Sequence, residues 1–299
     1  MSTAAIPGAP LPVRTPGSRA RGRHRRPERP EIMSGSPALV LAVPAVAGPE
    51  SRPVVEELLS VVRTEQSGIE VTAAYLGGED APTVAGLLAA AAEAGLPAPV
   101  IVPLVPGAHD FLPELHKLAA ETGAQVLDPL GPHPLLAEAV HVRLSEAGLA
   151  RADRARLFAI ATAADGVVLT TVGGEEAAAS AGITGVLLAS RLAVPVVPAA
   201  LDVPGSVAAA VAHLRATGSE RPALAPLVIG PEADPELLAT AAEETGCASA
   251  APIGAYPTVG QLIASAYLAA LPEPTQEQLE AAEAAAEQQR TSPGAHAAR

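Results

Sequence analysis

Short apolar runs alternate along this chain with longer segments whose apolar residues recur every three or four positions. The runs are Ala38–Val43, Ile69–Leu76, Pro99–Val105 and Ala124–Asp128, then Gly166–Thr171, Val194–Ala199, Ala223–Val228 and Cys247–Ala251. They are dominated by Val, Leu, Ile and Ala with little polar alternation, the pattern of strands covered on both faces of a parallel sheet. The intervening segments predict helices near Arg52–Thr64, Pro82–Ala94, Asp110–Glu121 and Pro134–Ala147, and again near Glu176–Leu192, Gly205–Thr217, Asp234–Glu244 and Thr258–Leu271. Ser51 is placed to cap the first helix, and Pro53 is tolerated in its first turn. Gly123 and Gly246 each follow Glu-Thr, where a left-handed residue closes a helix. This strand-helix alternation defines an α/β protein with parallel sheets and right-handed crossovers.

The pattern is written twice. Pro-Leu-Val recurs at 103–105 and 226–228, Gly at 107 and 230, Pro-Glu-Leu at 113–115 and 235–237, and Glu-Thr-Gly at 121–123 and 244–246. Pro129, Gly131 and Pro134 find counterparts in Pro252, Gly254 and Pro257, at an offset of 123. Upstream, Ala-Leu-Val-Leu-Ala-Val-Pro-Ala (38–45) pairs more loosely with Gly-Val-Val-Leu-Thr-Thr-Val-Gly (166–173). An ordered series at this long period marks two repeated domains rather than a solenoid. The expected division is a disordered basic leader at 1–35, a first α/β domain at 36–149, a partly helical connection at 150–164, a second α/β domain at 165–272 and a solvated tail at 273–299. The leader also reads as upstream sequence with Met33 as the alternative start.

Composition narrows the function. Only 2% of residues are aromatic and there is no Trp, so stacking on bases or sugars is not expected. The net charge of −13 is unevenly spread: residues 1–32 hold seven Arg against two Glu, a net of +5, and the rest carries −18. Such an acidic body argues against nucleic-acid binding. The single Cys247 excludes an intramolecular disulfide and any Cys-rich metal site, and points to the cytoplasm. No uninterrupted apolar run reaches the roughly 18 residues of a membrane span. A homo-oligomer is left open.

In an open parallel sheet, ligands bind outside the carboxyl ends of the strands. The loop after the first strand, around Pro44–Glu50, offers no catalytic side chain before Glu50. The loop after the third, Val105-Pro-Gly-Ala-His109-Asp110, places a histidine just past a strand end. His109 is the best-placed catalytic or metal-binding group; the competing reading is a loop histidine at the start of a helix that Asp110 caps. His133 reads as a turn residue or a cleft residue, His116 as a surface residue, His141 and His213 as mid-helix, and His24 and His296 fall in the tails. Thr171-Val-Gly-Gly-Glu-Glu lacks the spaced glycines of a dinucleotide loop, and Glu175 and Glu176 would repel a phosphate, so it reads as a structural turn.

The order of elements, the Gly-Ala-His109 segment and above all Asp-Pro-Leu-Gly-Pro-His-Pro-Leu-Leu-Ala-Glu-Ala (128–139) resemble the sirohydrochlorin and cobalt chelatase family, the class II tetrapyrrole metal chelatases. The resemblance implies two tandem flavodoxin-like, chelatase-like domains, each a parallel four-stranded sheet flanked by helices. It also implies insertion of Co²⁺, Fe²⁺ or Ni²⁺, as substrate, into a polycarboxylate tetrapyrrole bound between the domains, in cobalamin or siroheme biosynthesis. Two family histidines hold the metal and take up pyrrole protons. Neutral imidazole suits both tasks. His109 matches the one after the third strand. The other lies in a Gly-His-Gly-Ser motif, where this chain reads Val43-Pro44-Ala45-Val46. The second half reads Thr171-Val172-Gly173-Gly174 there and Gly230-Pro231-Glu232 opposite Gly-Ala-His109. Asp110, Glu50 and Glu232 are conceivable helpers, and Arg52 is the basic residue near the first loop. Loss of one imidazole argues for weak or no lyase activity. The alternative is thus a catalytically degenerate member that serves as a metal-, tetrapyrrole- or protein-binding scaffold.

Overall fold

The computed structural model describes residues 32, 35–78, 80–150 and 164–272. The leader, the connecting segment and the tail fall wholly or largely outside these residues, and so do His24 and His296.

The first half contains β1 (Leu39–Val46), α1 (Arg52–Glu65), β2 (Val71–Gly77), α2 (Val84–Glu93), β3 (Val100–Pro103), α3 (Leu112–Thr122), β4 (Gln125–Val126) and α4 (Pro134–Glu146). The second contains β5 (Gly166–Thr171), α5 (Gly174–Ser180), α6 (Gly182–Leu192), β6 (Val196–Ala200), α7 (Ser206–Ala216), β7 (Pro222–Pro226), α8 (Pro235–Thr245), β8 (Ala248–Ser249) and α9 (Pro257–Ala270). Each half forms a four-stranded sheet, in the orders β2-β1-β3-β4 and β6-β5-β7-β8. All strand pairs within both sheets are parallel. The expected fold is therefore present twice, with the same strand order each time.

Alternation along the strands sets the layers. Leu39, Leu41 and Val43 face one core while Val40 and Ala42 face another. The first of these cores is common to both sheets. It takes Val100 and Val102 from β3, Val167 and Leu169 from β5, and buried residues of α1, α4, α6 and α9. The outer faces are covered by α2 and α3 on one sheet and by α7 and α8 on the other. The molecule is thus layered helix, sheet, helix, sheet, helix, with a shared central helical layer.

That layer has a two-fold logic. The helix leading from the first strand to the second in the first half, α1, packs against α9, and its counterpart leading into β6, α6, packs against α4, while α4 packs on α9. Gly260 in α9 makes the α1 contact possible: a Cβ there would collide with the Val61 side chain. The Arg143 side chain crosses the junction to donate to the Ile253 carbonyl at 2.7 and 3.0 Å. The Tyr267 hydroxyl donates to the Pro37 carbonyl at 2.6 Å.

Four expectations are corrected. The helix expected over Glu176–Leu192 is two helices that meet at Ala181. The Ala177 carbonyl accepts from both the Ser180 hydroxyl and the Ala181 N–H, and Gly182, a weak helix former, opens the second helix. Strand β1 runs on through Pro44 to Val46, past the expected end at Val43. Ser51 precedes α1 but does not cap it with its side chain. Its hydroxyl instead donates to the Val46 carbonyl at 2.8 Å and accepts from the Gly48 N–H at 3.1 Å, tying the loop to itself. Asp110 is not the cap of α3; Phe111 holds that position, without a side-chain cap.

Candidate functional site

The carboxyl ends of β1 and β3 in the first half approach the loops of the second. After β3 the chain stays buried through Leu104 and Val105, with the Leu104 N–H donating to the Ala42 carbonyl at 2.9 Å. It then turns through Pro106-Gly107-Ala108 to His109, which is half-buried. The His109 Nδ1 accepts from the Phe111 N–H at 3.3 Å, and the two rings meet edge to face at 5.7 Å. The imidazole thus satisfies an amide at the helix entry, a task expected of the exposed Asp110.

The second half supplies the rest of the surroundings. Gly173, with φ 107°, lies so close that a Cβ on it would stand 2.5 Å from the Ala108 carbonyl oxygen and 3.3 Å from the His109 Cα. Burial holds the His109 pKa below its ordinary value, against the opposing charges of Asp110 and Asp202 and a backbone interaction with Glu232. Two of these three opposing influences come from the second half, so the ring sits at the junction. At neutral pH it is the uncharged imidazole, the form able to ligate a metal or accept a proton.

Glu232, the counterpart of His109 in the repeat, is buried. Its carboxylate turns back onto its own loop and accepts from the Ile229 N–H and, at 2.8 Å, from the Gly230 N–H. Burial pushes its pKa up to about 7, against the pull of these backbone donors. It is therefore a poor free ligand. Asp202 went unnoticed in the sequence. Its carboxylate accepts from the Gly173 N–H at 2.7 Å and the Gly174 N–H at 3.0 Å. The anion-binding amides of the Gly-Gly turn are filled by the chain's own carboxylate, and Glu175 and Glu176 lie exposed in the first turn of α5.

The remaining candidates are dispersed. Pro44 is buried within β1, so the position of the missing histidine is part of the sheet and not of an open loop. Glu50 is exposed. Arg52 opens α1 and lies near Tyr75. The His133 Nδ1 accepts from the Leu135 N–H at 3.1 Å and caps α4, which makes it a turn residue of defined role. His116 and His213 are exposed and His141 is half-buried. Among the described residues, no three His, Cys, Asp or Glu side chains are grouped to hold a metal ion. Among the described residues of the expected set, His109 is the imidazole whose surroundings both halves supply.

A small cavity opens beside it, about 300 Å³ with its mouth, lined by Gly107, Ala108, Gly131, Thr171, Ser180 and Thr184 among others. Both halves contribute to it, and Ala108 rather than His109 forms its wall.

The chain is a duplicated parallel α/β protein with a histidine past its third strand, at the junction of its halves. The CbiX family model matches residues 47–147, within the first half of the chain. The match begins just after the position of the missing histidine and includes both His109 and the Leu-Gly-Pro-His-Pro stretch. Among solved structures, SirB from Bacillus subtilis with Fe³⁺ superposes with a TM-score of 0.54 at 16% identity, covering 77% of this chain and 94% of that one. The sirohydrochlorin chelatase SirB from Bacillus subtilis subspecies spizizenii in complex with cobalt gives 0.52 at 15%, covering 83% and 97%. CbiX, described as the terminal enzyme of siroheme biosynthesis in denitrifying bacteria, gives 0.53 at 19%, covering 79% and 100%. At these identities the superpositions establish the fold. No curated protein matches the chain. No helix among the described residues is long and apolar enough to cross a membrane.

Proposed function

We propose that this chelatase-like chain brings a divalent metal, Co²⁺, Fe²⁺ or Ni²⁺, to a sirohydrochlorin-type tetrapyrrole at the junction of two domains, 36–149 and 165–272, with His109 as the metal-contacting group. The observation that carries this reading is the place of His109: past β3, between the halves, with a pKa lowered by burial. Insertion of M²⁺ into the macrocycle releases two pyrrole protons, and a neutral imidazole is a competent acceptor for one of them. The ring must first give up the Phe111 N–H, because an accepting Nδ1 leaves the proton on Nε2. Losing that bond costs about 1 kcal/mol. We assign the protein to the cytoplasm, in keeping with its single buried thiol, Cys247.

A second reading is favoured by three observations: Pro44 locked in the sheet, the His109 ring engaged with its own helix, and Gly173 pressed on Ala108. In it the chain keeps the scaffold and binds metal, tetrapyrrole or a protein without turnover. One assay separates the two. Purified protein is mixed with sirohydrochlorin and Co²⁺, and the absorbance of the macrocycle is followed, with His109→Ala beside it. The enzyme reading expects a rate above the spontaneous reaction that falls by about 10²–10⁴-fold in the variant, as for loss of a general base. No rate above background leaves the scaffold reading; an equal rate in the variant removes His109 from the mechanism.

A further inference from the structure

Asp202 links the two loops that meet at His109. It lies just past β6, and its carboxylate accepts from both Gly173 and Gly174, the residues that follow β5. Gly173 is in turn the surface on which Ala108 and the His109 backbone rest. The carboxylate is also near enough for its charge to act on the His109 ring. Among the described residues, the first half has no such clamp. Continuing the paired registers, in which Leu41 faces Ala73 and Leu169 faces Pro198, puts Gly77 at the place of Asp202. There the loop after β1 is instead tied through the Ala47 N–H to the Gly77 carbonyl at 2.9 Å.

We propose that Asp202 is a positioning residue for His109: by holding the Gly173 and Gly174 amides it fixes the seat of the Pro106–His109 loop across the junction. Only the functional consequence rests on His109 being the metal-contacting group. Asp202 touches neither metal nor macrocycle in this role; it acts through the Gly-Gly turn, as supporting carboxylates act on ligand side chains elsewhere.

The test uses the full chain and the variants Asp202→Ala and Asp202→Asn, the second keeping a side-chain carbonyl acceptor without the charge. Hydrogen exchange of the Gly173 and Gly174 amides and the imidazole resonances of His109 are recorded at pH 8, followed by titration with Co²⁺. The expected result for Asp202→Ala is exchange at both glycines faster by about tenfold, from loss of bonds to a charged acceptor. His109 resonances should shift while those of the exposed His116 and His213 stay, and Co²⁺ affinity should weaken by about 10–100-fold. Asp202→Asn should recover most of the glycine protection and of the His109 resonance positions. Faster glycine exchange with unchanged His109 resonances would overturn the proposal and make Asp202 a local cap only. An equal His109 shift in both variants would also overturn it, as an effect of charge rather than of position. If Asp202→Ala does not fold, Asp202→Asn against the wild type decides on the same resonances: retained positions support the clamp and a full shift refutes it. Absence of Co²⁺ binding by the wild type would sink the functional reading, while the exchange and resonance measurements still decide the positioning role.

Discussion

Glu232 and His109 occupy the same place in the two halves and have opposite electrostatic signatures. The carboxyl pKa of Glu232 is raised to about 7 from an ordinary 4.5, so the folded chain holds a proton there that the unfolded chain releases. Its contribution to stability is fully present below pH 4.5 and is lost as the pH rises to about 7. A shift of this size is worth about 3 kcal/mol. His109 works the other way: its pKa is lowered, so its contribution is present above the ordinary histidine range and is lost as the pH falls toward the folded-state value. Urea unfolding of wild type and Glu232→Gln at pH 5 and pH 8 isolates the carboxyl. The wild type should lose stability relative to the variant by about 3 kcal/mol on going from pH 5 to pH 8. An unchanged difference would mean that Glu232 is ionised in the fold throughout. At this scale the sequence was only partly readable. His109 could be found because strand-end position in a parallel sheet is predictive. The capping action of its Nδ1 and the inward turn of Glu232 are side-chain bonds within single loops, and Asp202 reaches the Gly-Gly turn from another strand end, none of which an apolar pattern carries.

Most elements could be read from apolar runs and helix-end residues. Gly123 and Gly246 close α3 and α8 in the left-handed conformation, as the repeated Glu-Thr-Gly implied. The misses have physical causes. Ala-rich sequence hid the break between α5 and α6, because strong helix formers on both sides mask the weak one, Gly182, at which it falls. Pro44 concealed the extension of β1, since a proline argues against a central strand; the ladder accommodates it with a register shift between Val43 and Val46. The packing of α1 on α9 was also invisible, because it depends on Gly260 meeting Val61 across the halves. Replacing Gly260 by Leu should therefore lower stability by about 1–3 kcal/mol, the usual effect of overpacking. Chemical unfolding measures it, and a variant as stable as the wild type would show that the helices can separate without loss.

For the whole molecule, the duplication explains the architecture and the divergence explains the site. Two equivalent sheets share one central core, with α1 packed on α9 and α6 on α4 across the halves. A rigid hinge opening of the halves would expose that core to water. One half carries a histidine past its third strand, and the other carries at the same place a carboxyl that faces its own backbone. The central claim is that His109 alone still contacts a metal at this junction. Titration of the full chain with Co²⁺, followed by its visible absorption, tests it most directly, with His109→Ala and His133→Ala as the variants. The account predicts saturable binding by the wild type and by His133→Ala, with His109→Ala weaker by at least about tenfold. Equal binding by His109→Ala, or no saturable binding by the wild type, would contradict it.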